Sequence, residues 1–328
     1  IELDDIADQH VIAITEASQS LKDTVDFTFD EVRNLTINSA MHIDSLIASF
    51  WLDTDETLDT INAPSLGDLR TTDGDLQVAL NLSGAGVNPE GEVLGKVDVD
   101  GIIAPGAGGI WTIGGNVNRI ISSGTGANFG LNATGYVDLF DAGDGDINGS
   151  PLQALFFDTF KTNGDLNANV TTTGADRGMA IDDLIVNNIA DGTTIDATSG
   201  LIDQLNFNNW NSGALLADSI DDLKAAGDFG ATLDVFDVAG NRESVDDIKI
   251  GGMILTNGSW NINGNVDNIN ANGSNANWQL IVTGYVDDVL FNNADIDGVL
   301  LQALFFDTFK TNGDLNANVM TTGADRGM

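Results

Sequence analysis

"GNVDNINAN", residues 264–272, holds two apolar residues, Val266 and Ile269, with Asp267 and Asn268 between them. On a straight strand side chains alternate between faces, so residues three apart point opposite ways. A bend at Asp267 and Asn268 removes the conflict: the two polar residues take the outside of a corner, and Val266, Ile269 and Ala271 all point inward. The preceding "GSWNIN" (258–263) adds Trp260 and Ile262 at period two, the spacing of a half-buried strand. Short strands joined at Gly and Asn corners suit those residues, which tolerate positive φ.

The same pattern recurs down the chain. "IDDL" stands at 181, "IDQL" at 202, "IDDL" at 220, "VDDI" at 245, "VDNI" at 266 and "VDDV" at 286, in steps of 21, 18, 25, 21 and 20 residues. Fainter versions are "VRNL" at 32, "IDSL" at 43, "LGDL" at 66, "VNRI" at 117 and "VDLF" at 137. Periods of 20–25 residues belong to solenoids. A leucine-rich repeat needs a regular Leu/Asn frame that is missing, and a propeller blade is about twice as long. Two sandwiches would leave the short motif without a reason. The expected fold is therefore all-β: a parallel, right-handed β-solenoid of about 21-residue coils, roughly 12–15 of them at one coil per 4.8 Å.

A longer repeat encloses the short one. Residues 152–179 and 301–328 differ at one of 28 positions, Thr171 against Met320. At the same offset of 149, "GGIWTIGGNVNRI" (108–120) lies over "NGSWNINGNVDNI" (257–269), and residues 108–151 share 19 of 44 positions with 257–300. Further upstream the copies drift, though Trp51 has a partner in Trp210. The expected organisation is an N-terminal segment (1–30), copy one (31–179) and copy two (180–328) in one continuous solenoid. Minor insertions are expected at two places, a short helix at the first and, at the second, a short helix or bulged excursion with a wide strand as the alternative. "TEASQSLKDTV" (15–25) has few breakers, and "LQALFFDTFK" (152–161) has apolar residues at 152, 155, 156, 157 and 160. The 44 residues from Val286 to the next motif position at 330 leave room for two coils and an outward excursion around the second copy of that segment.

Composition narrows the function. Twelve Lys and Arg face 50 Asp and Glu, for a net charge of −38. Phosphate binding needs a basic footprint, so nucleic acid is excluded as a partner, and an anionic membrane surface is disfavoured. Such charge favours solubility, salty surroundings or bound divalent cations. With 42% hydrophobic residues the chain can bury a large core. There is no cysteine, hence no disulfide or thiol chemistry. No apolar run reaches the length of a membrane span. The chain starts at Ile1 and stops at Met328, where copy one continued, which suggests a mature or excised piece of a longer repetitive protein.

In-register stacking would align Asp182, Asp203, Asp221, Asp246, Asp267 and Asp287 in a column. Two bare carboxylates one coil apart repel by about 0.9 kcal/mol even in bulk water, a cost relieved by salt, outward splaying or Ca²⁺. "DGDING" (144–149) and "NADIDG" (293–298) resemble the start of an EF-hand loop, although the closing Glu at position 12 is replaced by Leu155 or Leu304. The two stretches read either as plain Asn/Asp/Gly turns or as a looser calcium site from Asp144, Asp146 and Asn148, and from Asn293, Asp295 and Asp297. Trp51, Trp111, Trp210, Trp260 and Trp278 suit core slots, with Phe129 in the place of Trp278. Catalytic patterns are poor: His10 and His42 adjoin no acidic or nucleophilic motif, and no GxSxG, HExxH or P-loop occurs. "GADRG" (174–178 and 323–327) reads as a turn with a local Asp–Arg pair, and "TTT" (171–173) is too little for a Thr-x-Thr ice-binding face.

Units of the form "GSWNINGNVDNINANGS…VTGYVDDV" resemble the glycine-rich repeats of very large secreted bacterial proteins, planctomycete ones above all. The likeness covers roughly 180–300 well and 97–150 less closely, and it is one of composition and rhythm. It implies a surface location and a structural or adhesive role, with no catalytic residues to carry over. The expected function is a structural module of an extracellular fibre, sheath, surface layer or adhesin stalk that assembles head to tail with itself. A calcium-dependent adhesin or carbohydrate-binding module is the alternative, with surface polysaccharide as a partner, and a β-helix polysaccharide lyase or hydrolase stands further off. The repeated apolar segment, with Leu152, Phe156, Phe157 and Phe160 and their counterparts Leu301, Phe305, Phe306 and Phe309, is expected to make one assembly contact twice.

Overall fold

The computed structural model describes all residues except 7–8, 17–22, 56, 88–90, 150, 239–242, 256–257, 293 and 324–328. It divides into two compact units, Ile1–Ala168 and Asn169–Met328, whereas the sequence copies meet at 179/180. Each unit is a parallel β-solenoid whose coil visits three faces in turn. Among the described residues there is no helix.

In the second unit the motif strands lie directly over one another. Ile181 pairs with Ile202, Ile202 with Ile220, Ile220 with Val245, Val245 with Val266 and Val266 with Val286, all parallel. The structural steps thus equal the motif steps. Within each strand the ladder skips the first polar residue: Val266 and Asn268 have partners on the next coil, and Asp267 does not. That kink is the expected bend, and it buries Val266, Ile269 and Ala271 together while Asp267 stays exposed. The second face carries the period-two strands Thr232–Val235, Ser259–Ile262 and Gln279–Val282. On the third face the coils meet through short bridges, Trp210 to Phe229 and Phe229 to Ile254.

The first unit repeats the plan with less even coils. Ile43, Leu66, Leu94, Val117, Val137 and Phe157 form one column, in steps of 23, 28, 23, 20 and 20 residues. Two rungs of this column differ from the sequence reading. "VRNL" is no motif rung, because Val32 lies on the third face, where it pairs with Trp51, and Leu35 starts a second-face strand. The rung there is Thr24–Phe29, over His42–Ala48. The rung at 94 was hidden by Gly95 and Lys96, which stand where the corner acids usually do.

Of the readings open at 152–161 the strand is the one that forms, and the helix is absent: Leu152–Ala154 and Phe157–Lys161 are strands. "FDTF" is itself the apolar–polar–polar–apolar motif, so Phe157 follows Val137 by 20 residues and Phe306 follows Val286 by 20. The 44-residue gap and the outward excursion vanish with that reading. The apparent helical spacing arises because the segment turns a corner between two strands, which puts adjacent apolar residues on different faces. Of the helix expected at 15–25, residues 17–22 lie outside the described residues, and Thr24 and Val25 belong to a strand.

Aromatic side chains fill both tubes. All five tryptophans are fully buried. Trp111 meets Phe129 edge-on at 5.3 Å, and Trp260 meets Trp278 edge-on at 5.5 Å, so the Phe129/Trp278 substitution keeps the geometry of the slot. In the second unit Trp210, Phe229, Trp260, Trp278 and Phe291 follow one another at 5.5–5.7 Å. Such pairs contribute about 0.5–1.5 kcal/mol each beyond the area they bury. Outside, amide ladders run coil to coil: Asn81 donates to Asn62, which donates to Asn38, at 2.9 and 2.8 Å.

Candidate functional site

The motif corners of the second unit carry the expected acidic column. Register sets Asp182, Asp203 and Asp221 on successive coils, and Asp267 and Asp287 likewise; loss of hydration, then Asp182, pushes the Asp203 carboxyl up. Partial loss of hydration, then the charges of Asp203 and Asp246, push the Asp221 carboxyl up to about 6. Asp246 and Asp287 are raised by the same loss of hydration, with Asp267 the next cause for each. Two of the second acids meet a different fate, whereas loss of hydration and then Asp182 push Asp183 up. Asp222 and Asp247 are held at 2.6 Å by Lys224 and Lys249, two residues on along the same strands. Among the described residues Lys224, Lys249 and Lys310 are the cations of this face, and none makes an ion pair with Asp203, Asp221, Asp246, Asp267 or Asp287.

The residues expected to hold calcium sit at a turn and in the short strand after it. Asp144 stands in a turn closed by the Gly145 N–H on the Ala142 carbonyl, Asp146 and Asn148 follow it, and each of the three accepts a bond from the coil 19 residues on. Asn163 Nδ2 donates to Asp144 at 2.8 Å, the Asp165 N–H to Asp146 at 2.9 Å, and Asn167 Nδ2 to Asn148 at 2.9 Å. The second copy does the same, with Asp314 N–H on Asp295 at 2.7 Å and Asn316 Nδ2 on Asp297 at 2.9 Å. Asn293 lies outside the described residues. An EF-hand loop curls so that alternate oxygens converge, whereas here alternate oxygens face the next coil. Among the described residues no group of three His, Asp or Glu side chains could hold a metal ion.

The repeated apolar segment is chiefly core. Leu152, Phe157, Phe160 and Leu301 are fully buried, so none of these four presents a surface for assembly. Phe160 stacks on Phe140 at 5.0 Å and meets Phe157 edge-on at 5.3 Å. Phe156 and Phe305 are half-buried and lie against Tyr136 and Tyr285, each at 5.6 Å. Phe306 and Phe309 are also half-buried, where Phe157 and Phe160 are wholly so. The "GADRG" turn is local as expected, closed by Asp176 and Met179 with Arg177 at a φ of 49°. Asp325 and Arg326 of its second copy lie outside the described residues.

Three arrangements escaped the sequence reading. His42 Nδ1 lies 2.6 Å from Ser65 Oγ on the next coil, beside a cavity of about 270 Å³ that Asp44 and Glu92 also line. Burial holds the imidazole below its ordinary pKa, so a neutral base meets a hydroxyl. Among the described residues the other ring nitrogen has no partner to orient it, as a catalytic triad requires. Trp51 Nε1 donates to the buried Asp59 at 2.8 Å, and loss of hydration pushes that carboxyl up to about 6. Finally, an open groove of about 600 Å³ in the second unit is lined by Asn206, Asn208, Asn270 and Asn292 with Lys224 and Lys249. Only register could reveal the first and third, since their partners sit on separate coils.

Compared with protein-family models, curated proteins and solved structures, the chain matches none. No helix among the described residues is long and apolar enough to cross a membrane.

Proposed function

We propose that this chain is a structural repeat module of an extracellular fibre, sheath, surface layer or adhesin stalk, and that it associates with itself head to tail. The observation that carries the reading is the interchangeability of the coils. Segments from the two sequence copies build the same rung: Val137 over Phe157 in one, Val286 over Phe306 in the other, each a 20-residue step in the same parallel register. A fold in which any coil can follow any other gains length by adding copies. The outward acids support it further, because like charge along the sides keeps neighbouring molecules apart. The large acidic excess and absence of cysteine suit an exterior location.

Negative-stain electron microscopy of the purified protein, in calcium and then in chelator, tests this. Filaments in both solutions are expected, held by coil stacking. Filaments that fall apart in chelator would assign the joint to bridging cations instead. Discrete particles in both, at every protein concentration, would overturn self-association.

A second reading has one observation in its favour. The amide-lined groove of the second unit offers hydrogen-bond donors and acceptors in a row along the coils, a surface suited to a sugar polymer's hydroxyls. Calorimetric titration with neutral and acidic glycans separates the two: saturable binding lost in an Asn206→Ala, Asn270→Ala variant supports a carbohydrate-binding stalk.

A further inference from the structure

The second-face column of the second unit begins and ends on the same stretch of sequence. Val170 pairs with Ile195, and the column then climbs coil by coil to Leu301 and Val319, every step parallel. Val170 and Val319 hold one position of the duplicated segment, 149 residues apart. Their surroundings differ. Val170 is fully buried against Ile195, with the Thr194 N–H on Asn169 Oδ1 at 2.7 Å beside it. Val319 and Met320 are each 43% exposed, and among the described residues the strand Leu315–Thr321 is paired on one side alone, with Ile296–Ala303.

The first unit holds the matching half of such a joint. "IADQHVIAI" (6–14) lies over "IADGTTIDA" (189–197). The likeness extends to register, because Ile12 pairs with Ile37 on the next coil as Ile195 pairs with Leu215. Among the described residues His10–Ile14 too is paired on one side alone. Val11 is 65% exposed, Ala13 is exposed and Ile12 is half-buried, where Ile195 and Ala197 are fully buried. A strand edge with apolar side chains and backbone groups open on one side is a template for another strand. The chemistry of the two open edges also agrees. In the closed joint Thr171 faces Asp196, polar on polar. Met320 replaces Thr171, the one difference in 28 positions, and Ala13 stands in the place of Asp196 with Val11 in that of Thr194. Both open edges are thus apolar at the positions that would meet.

We propose that these two edges are the halves of the head-to-tail joint: Leu315–Thr321 of one molecule lies parallel on His10–Ile14 of a second copy, in the register of the Val170–Ile195 step. Val319 then faces Ile12, and Met320 faces Ala13 beside Val11. Ladder hydrogen bonds continue from one molecule to the next, and the apolar slots close as those of Val170 and Ile195 do. This joint presupposes the self-association proposed above and gives it a contact.

The chain has no cysteine, so introduced thiols report the register directly. Opposed residues on neighbouring parallel strands lie within disulfide reach. Gentle oxidation of an Ala13→Cys, Met320→Cys chain, at high salt to screen the net charge of −38, should give a ladder of covalent oligomers. An Ala13→Cys, Asp307→Cys chain, with its second thiol on the motif face, should give about tenfold less. Equal ladders from the two chains, with filaments still visible by microscopy, would overturn this joint and leave self-association standing. Discrete particles at every concentration would overturn both. A second variant, Val319→Asp, puts a carboxylate into the slot that Ile12 should cover, and should weaken association at least about tenfold in sedimentation velocity. Hydrogen exchange in Ser259–Ile262 should stay unchanged in that variant, as Val319 is exposed in the single molecule. Undiminished association of Val319→Asp would refute the joint.

Discussion

Replacing Phe160 and, separately, Phe309 with alanine puts one substitution into two identical stretches of sequence. Phe160 is fully buried, stacked on Phe140 and edge-on to Phe157. Phe309 is half-buried and keeps one aromatic neighbour, Phe306, at 5.5 Å. Truncating a fully buried Phe costs about 3–5 kcal/mol, the removed area plus the cavity left behind. With two ring pairs lost, Phe160→Ala should lie near the top of that range. Half the burial and one ring pair put Phe309→Ala at about 2 kcal/mol. Solenoids open coil by coil, so a global midpoint would blur the comparison. Native-state hydrogen exchange reads it locally, in Val137–Asp141 for the first variant and Val286–Phe291 for the second. Equal losses would refute the reasoning that the surroundings of the coil set the cost, and would mean that Phe309 is covered in solution as completely as Phe160.

Other outcomes follow from single contacts. Asp59, pushed up to about 6 by burial, should make the first unit less stable as pH rises from about 4 through 6; Asp59→Asn should flatten that dependence in urea midpoints taken across the range. Asn62→Ala removes both bonds of the Asn38–Asn62–Asn81 ladder and should cost about 1 kcal/mol, exposed as it is, in chemical denaturation. Gly149 has a φ of 126° and its α-carbon faces the Phe129 carbonyl, so Gly149→Ala should cost about 1–3 kcal/mol and lower the melting temperature.

The second unit was the legible part of the sequence. Between 181 and 289 every rung keeps Ile, Val or Leu at both apolar positions, with an acid first in the corner, and five successive motif steps became five structural steps. In the first unit the code is the same but the letters change. Gly67, Gly95 and Lys96 occupy corners, a 28-residue coil interrupts the rhythm, and the rung at Thr24–Phe29 follows no four-residue frame. "FDTF" failed for a simpler reason: Phe in both apolar positions next to Leu155 and Phe156 imitates a helical stripe. The Gly-rich turn of "DGDING" is legible in the sequence, but the partners of its oxygens are not, because Asn163, the Asp165 N–H and Asn167 reach them from the coil 19 residues away. His42 and Ser65 show the limit of local reading, since 23 residues separate a pair that the register makes adjacent.

The uneven coil lengths carry a mechanical consequence. Hydrogen bonds between coils lie along the solenoid axis, so tension applied along that axis loads them one rung after another. Each released rung frees the whole loop of chain beneath it. At about 3.4 Å per extended residue, the 18-residue coil between Ile202 and Ile220 yields about 60 Å of slack, and the 25-residue coil ending at Val245 about 85 Å. A pulled molecule would thus lengthen in a ladder of unequal increments whose order spells out its own coil lengths, dissipating work at every step while the coils beyond stay closed.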